Sequence, residues 1–146
     1  MGRKNIRENL SGVKLNNFEY DLGVVGLGYV GLPLAVESAN AGLKVMGYDV
    51  NSQRVQEINS GKSPIEDISD NELSKASNSF TASDDPALLS KCQHIVISVP
   101  TPLTDYQPDL SYVEAAAKSV GENLVSNQVI ILESTTYPGT TLEVLV

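Results

Sequence analysis

Gly26-Leu27-Gly28-Tyr29-Val30-Gly31 follows directly on the apolar run Leu22 to Val25. A G-x-G-x-x-G between a strand and a helix is a spacing that can hold a pyrophosphate through backbone. The first glycine permits a tight turn, the second lets backbone approach the phosphates, and the third lets the helix pack closely on the strand. Asp49 ends a second apolar run at about the distance expected for a carboxylate that accepts the hydroxyls of an adenosine ribose. The same charge would repel the additional phosphate of NADP, so NAD is the expected cofactor. Arg54 is a cation on the next helix, able to reach a 2′-phosphate, to flank the adenosine ribose, or to sit in solvent. Residue types alone also allow a structural glycine turn and a helix-capping Asp49; the order strand, glycines, strand, carboxylate favours the dinucleotide.

Those residues need a frame that delivers them to one edge. From Tyr20 onward short apolar runs alternate with helical patterns, the sequence form of βα units around a parallel sheet. Strands are expected over Tyr20 to Val25, Lys44 to Tyr48, Ser79 to Ala82, His94 to Val99 and Gln128 to Leu132. Ile95-Val96-Ile97, continuous and β-branched, belongs mid-sheet with both faces covered. Short connections and right-handed crossovers predict an α/β Rossmann domain, a doubly wound parallel sheet of order 3-2-1-4-5 with the first strand central. Pro33 fits the first turn of the first helix and Gly42 its end, while Gly31, Ala35 and Ala39 put small residues on the helix face nearest the sheet. Asp85-Pro86 can start a short helix. Ser69 with Glu72, Ser111 with Glu114 and Thr140 with Glu143 have capping-box spacing and mark further helix starts. Asn59 to Asn78 reads as a loop and then a modest surface helix.

The chain has 146 residues, suited to one domain. Residues 1–17 are polar with isolated apolar positions and read as a flexible tail, leaving 18–146 for the NAD-binding domain. The pattern after Thr140 has barely begun a helix, so the domain is expected to be a fragment of a longer enzyme. A formal net charge of −8 disfavours nucleic acid as a partner, and no apolar run approaches the roughly 20 residues of a membrane helix. Cys92 is the only cysteine, which excludes an internal disulfide and a multi-cysteine metal site; no metal is expected. A reducing, cytoplasmic location fits. Cys92 is expected just before the fourth strand in a structural role, and His94 begins that strand with no evident partner.

With the glycine loop followed by Leu32-Pro33-Leu34-Ala35, then Val99-Pro100-Thr101-Pro102-Leu103, then Glu133-Ser134-Thr135-Thr136-Tyr137-Pro138-Gly139-Thr140, the sequence resembles the UDP-glucose/GDP-mannose dehydrogenase family over roughly Tyr20 to Val146. Gln107-Pro108-Asp109-Leu110-Ser111-Tyr112 and the Glu-Ser-Thr-Thr-Tyr-Pro-Gly form are most similar to the branch that acts on UDP-N-acetylhexosamines, particularly UDP-N-acetylglucosamine. The resemblance implies two hydride transfers to NAD that carry a UDP-sugar's C6 alcohol to a carboxylate through a cysteine thiohemiacetal. It implies surface-polysaccharide synthesis and a homo-oligomeric parent. Cofactor contacts would fall on Gly26, Leu27, Gly28, Tyr29, Val30, Gly31, Asp49, Arg54, Val99, Pro100, Thr101 and Thr136. Tyr29 and Val30 would act chiefly through backbone. Thr101 and Thr136 match loop threonines near the nicotinamide, with Thr136 also matching the position that helps order a catalytic water; ordinary loop capping is the alternative for both. The family's nucleophilic cysteine belongs to a later Gly-rich segment without a counterpart here, so this chain alone is expected to be inactive.

Two other functions are compatible with a glycine loop on this fold. One is a hydroxyacid or 6-phosphogluconate-like dehydrogenase, against which the Pro-Thr-Pro and Thr-Thr-Tyr-Pro-Gly loops argue. The other is a nucleotide-sensing module without chemistry, which fold alone does not separate from an enzyme.

Overall fold

A computed structural model describes residues 18–104 and 107–135. The expected tail, the helix start at Thr140 and the loop position Thr136 lie outside the described residues. The elements run β1 (Tyr20–Val25), α1 (Gly31–Asn40), β2 (Val45–Tyr48), α2 (Ser52–Asn59), α3 (Asp70–Ala76), β3 (Phe80–Ser83), a 3-10 helix (Pro86–Lys91), β4 (Cys92–Ile97), β5 (Leu103–Thr104), β6 (Gln107–Pro108), α4 (Ser111–Glu122) and β7 (Val129–Leu132). Five strands form a parallel sheet in the order β3-β2-β1-β4-β7. This is the expected Rossmann order, with the first strand in the middle.

Alternation along β1 feeds two cores. Leu22 and Val24 pack with Leu32, Ala35 and Val36 of α1, whereas Val25 packs on the opposite face with Ile95, Ile97 and Val120. Each fully buried side chain of this size contributes about 1.5–3 kcal/mol by leaving water, so a one-residue slip of β1 would invert both faces at once. α1 lies close to the sheet because Gly31, Ala35 and Ala39 are all buried on it. Its end is a Schellman motif: Gly42, at φ +95°, donates its N–H to Ala39 C=O, and Leu43 N–H donates to Ser38 C=O. The 3-10 helix starts as expected, Asp85 accepting the Ala87 N–H ahead of Pro86.

Several local readings are corrected. The fourth strand runs Cys92–Ile97 rather than His94 to Val99, so Cys92 is inside it and Ser98 and Val99 lie beyond its end. The third strand is Phe80–Ser83, one residue later than expected. Ser69 and Glu72 do form a reciprocal capping box, but Ser111 and Glu114 do not. Ser111 is already the first helical residue, Leu110 is the cap, and the Ser111 N–H is taken by the Asp109 carboxylate at 2.9 Å. His94 has a partner after all. Its Nδ1 lies 3.0 Å from Asp21 C=O, and because a carbonyl only accepts, that nitrogen carries the proton. The short antiparallel pair β5–β6, with Leu103 opposite Pro108, was not anticipated; two-residue strands carry no readable period.

Candidate functional site

The phosphate-loop candidates lie between β1 and α1, at the carboxyl ends of the parallel strands, where open α/β sheets take their ligands. Each glycine there answers a different steric demand. Gly26 has φ +92°, donates its N–H to Tyr48 C=O at 2.8 Å, and has Ser98 C=O only 2.5 Å from where a Cβ would stand. A Cβ on Gly31 would overlap the Gly26 carbonyl. Gly28 has nothing within 4 Å of its missing side chain. The first and third glycines therefore close the turn against protein, and the second leaves a bare backbone edge facing open space.

Leu27 ties the loop to the sheet. Its side chain is fully buried, and Gly47 on β2 makes room for it, since a Cβ there would come within 2.7 Å of Leu27 Cδ2. Its N–H donates to Asp49 Oδ2 at 2.8 Å. Asp49 is buried immediately beyond β2, and its Oδ1 accepts the Asn51 N–H at 2.9 Å. Arg54 Nη1 donates to Oδ2 at 3.1 Å, while Arg54 Nε is buried without a hydrogen-bond partner. The buried charge is thus balanced by one cation and two backbone dipoles, as burial of a carboxylate requires. Asn51, which sequence reading passed over, places that cation: it caps α2 by accepting the Arg54 N–H at 3.1 Å.

Across the cleft, Ser98 N–H donates to Val25 C=O at 2.8 Å and carries the chain from β4 into Val99-Pro100-Thr101. A cavity of about 350 Å³ lies between the two sides, lined by Asp49, Val50, Arg54, Val99, Pro100 and Tyr112 among others. An adjoining cavity of about 400 Å³ is lined by Gly28, Tyr29, Thr101, Glu133, Ser134 and Thr135 among others. The expected residues Gly26, Gly28, Asp49, Arg54, Val99, Pro100 and Thr101 therefore meet around one continuous cleft. Tyr29 and Val30 are exposed at its rim, whereas Leu27 points its side chain into the core. Val50, Tyr112 and Ser134 were missed, because an exposed aliphatic, a helix tyrosine and a loop serine have no spacing signature.

Cys92 and His94 lie at the opposite end of β4 from this cleft. Burial pushes the Cys92 thiol up to about 12, with Sγ 3.6 Å from Leu88 C=O. It is a packed, protonated thiol without nucleophilic character.

The donor set suits a dinucleotide. α1 presents an N-terminus with no acidic residue in its first turn and no side-chain cap, so its partial positive charge is open to a phosphate. The bare edge of Gly28 gives that phosphate room, and the buried Asp49 lies one strand over for a ribose. The fold and cleft together define a dinucleotide-binding Rossmann domain.

Residues 20–146 match the model of the UDP-glucose/GDP-mannose dehydrogenase family, NAD binding domain, and the chain belongs to that family. Over 124 residues it is 42% identical to the UDP-N-acetyl-D-glucosamine 6-dehydrogenase of Pseudomonas aeruginosa, covering 84% of this chain and 29% of that protein. Among solved structures, a ternary complex of GDP-mannose dehydrogenase from Pseudomonas aeruginosa superposes with a TM-score of 0.81 at 28% identity, covering 86% of this chain and 30% of that one. The UDP-D-ManNAc dehydrogenase of Pyrococcus horikoshii gives 0.79 at 38% identity, covering 84% and 30%. The chain thus spans about three tenths of the length of these relatives. Among the described residues no helix is long and apolar enough to cross a membrane.

Proposed function

We propose that the protein carrying this chain oxidises the C6 alcohol of a UDP-N-acetylhexosamine, UDP-N-acetylglucosamine foremost, to a carboxylate in two NAD-dependent steps that serve surface-polysaccharide synthesis. The observation that carries this reading is the 42% identity with a UDP-N-acetyl-D-glucosamine 6-dehydrogenase across 84% of the chain. The 38% identity with a UDP-D-ManNAc dehydrogenase supports the N-acetylhexosamine class.

NAD accepts hydride from the sugar when bound; the chain's own residues hold and orient it. In this reading Asp49 accepts the ribose hydroxyls of the adenosine half, and Arg54 flanks them. The Asp49 carboxylate, with Arg54 Nη1 on its Oδ2, would repel a 2′-phosphate at this place, and NAD is preferred over NADP. Gly26, Leu27 and Gly28, with Tyr29, Val30 and Gly31, shape the phosphate turn, although the Leu27 N–H serves Asp49 rather than a phosphate. Val99, Pro100 and Thr101 bound the cleft from β4. The Thr136 assignments, cofactor contact and water ordering, rest on the family motif. Cys92 is too deeply buried to attack a sugar, so the thiol chemistry belongs to another segment of the protein. The reaction suits the cytoplasm and a homo-oligomeric enzyme.

The test is NADH formation by the protein carrying this chain, offered UDP-N-acetylglucosamine, UDP-N-acetylmannosamine, UDP-N-acetylgalactosamine, UDP-glucose and GDP-mannose in parallel. Turnover of an N-acetylated substrate well above the others is expected. Turnover confined to UDP-glucose or GDP-mannose would sink the N-acetylhexosamine assignment, and NADPH formed as readily as NADH would sink the role given to Asp49.

A further inference from the structure

We propose that Ser134 is a positioning residue that clasps the diverging ends of β4 and β7 and so sets the width of the cleft beyond the phosphate loop, where the nicotinamide half of the cofactor must lie. This rests on the NAD assignment above.

The inference comes from register. Ile97 is paired with Leu132, and Glu133 N–H donates to Ile97 C=O at 2.9 Å. Two residues on, the same register sets Val99 opposite Ser134. In a continued parallel ladder Val99 would bond the backbone on either side of its partner, the Glu133 C=O and the Thr135 N–H. Both Val99 groups are met by the Ser134 hydroxyl instead. Val99 N–H donates to Ser134 Oγ at 3.0 Å, and the same Oγ donates to Val99 C=O at 2.8 Å. A serine hydroxyl has one donor and two acceptor sites, so a single side chain stands in for two backbone rungs. It holds the strand ends together while keeping them a side chain apart.

The split opens onto the cavity lined by Thr101, Glu133, Ser134 and Thr135. With the ribose carboxylate beyond β2 and the phosphate turn beyond β1, a dinucleotide laid across the order β2-β1-β4-β7 reaches β4 and β7 with its other half. Val99 is followed by Pro100, which has no N–H to offer the ladder, and Thr101 hangs from that segment. Loss of the hydroxyl leaves Val99 without its side-chain partner and frees the loop carrying Thr101 to move relative to Thr135.

Ser134→Thr and Ser134→Val test this as a pair, because they differ only by a hydroxyl against a methyl. NAD and ADP are titrated calorimetrically into the full 146-residue chain and both variants. ADP carries the adenosine and both phosphates but not the nicotinamide half. The expected result is ADP affinity unchanged in all three, and NAD affinity retained by Ser134→Thr but weakened about 3- to 10-fold in Ser134→Val, the scale of one or two local hydrogen bonds. Unchanged NAD affinity in Ser134→Val overturns the proposal. So does equal loss of ADP and NAD, which would make the clasp a general support of the fold. A wild-type chain that binds ADP but gains nothing from the nicotinamide half overturns it too, and one that binds neither ligand removes the cofactor assignment on which it stands.

Discussion

The two sides of the cleft are built by different means. On the β1–β2 side, the glycine turn is pressed against protein at Gly26 and Gly31, Leu27 is locked into the core, and a buried carboxylate bonds both the loop and the start of α2. On the β4–β7 side, the ladder ends early, the loop residues from Val99 to Thr101 and from Glu133 to Thr135 are half-buried or exposed, and one hydroxyl joins the two loops. The first side is assembled by folding itself, since disturbing it disturbs the core. The second is joined through a single side chain. In the reading proposed above, the rigid side would hold the adenosine half of the cofactor and the side tied by few bonds would face its reacting half, in a family whose relatives are named for several different nucleotide sugars.

The largest effect should come from breaking the rigid side. Gly31→Ala would drive a methyl into the Gly26 carbonyl, where backbone rather than a flexible side chain must yield. We expect a loss of stability of about 3 kcal/mol or more and no measurable NAD binding, read by thermal melting and calorimetry. Gly28→Ala is its counterpart: nothing lies within 4 Å of the added methyl, so the melt should stay close to wild type while NAD affinity falls at least about tenfold, as the methyl occupies the space reserved for phosphate. Equal thermal damage from both substitutions would show that the glycines share one structural role and that the open edge of Gly28 is unrelated to a ligand.

Asp49→Asn should act next in size. The amide keeps an oxygen for the Leu27 N–H but loses the charge that holds Arg54. Replacement of a charge-assisted contact is worth about 1.5–3 kcal/mol, so NAD should weaken roughly 10- to 150-fold. NADP should weaken less or improve, because Arg54 is released and the repulsive carboxylate is gone. Titration of both cofactors checks the sign; a parallel loss for NAD and NADP would mean that Asp49 supports the loop and does not read the ribose.

The same contrast explains what could be read from the sequence. The sheet was legible because strands covered on two faces must be apolar and mostly β-branched, as in Ile95-Val96-Ile97, and because the glycine spacing marks the strand that must be central. Asp49 was legible because its distance from the loop follows from one βαβ unit. Strand ends were read less well: Val99 looks like strand by residue type, but its partner is a side chain, and no composition signals that exchange. The failed cap at Ser111 has a similar cause, since Asp109 competes for the same N–H two residues earlier and type and spacing do not rank the two acceptors. The packing of Leu27 had a faint signal in Gly47, the one residue of β2 without a side chain, whose meaning appears only once the strands are paired. The side of the cleft joined through a single side chain is thus also the side that residue patterns describe least.

The smallest effect should come from a change remote from both sides of the cleft. In the α3 capping box, Ser69 N–H and Oγ–H donate to Glu72 Oε2 at 2.8 and 2.6 Å, and Glu72 N–H donates to Ser69 Oγ at 3.2 Å. The Ser69 hydroxyl and N–H hold the Glu72 carboxyl below its ordinary value of 4.5. A carboxylate depressed in the folded state stabilises above its unfolded value, and that contribution is lost as pH falls through the folded one. Ser69→Ala removes the hydroxyl and leaves only part of this arrangement, so near neutral pH Tm should drop by no more than a few degrees. The gap between variant and wild type should narrow as the buffer is taken below pH 4.5, because the wild type is then losing the same interaction. NAD affinity at neutral pH should be unchanged, since α3 packs on α1 and lies outside both cavities of the cleft. Melts of both proteins across the acid range, with one NAD titration each, decide it: a gap that widens on acidification would reverse the sign assigned to Glu72, and a change in NAD affinity would show that the rigid side of the cleft extends through α1 as far as α3.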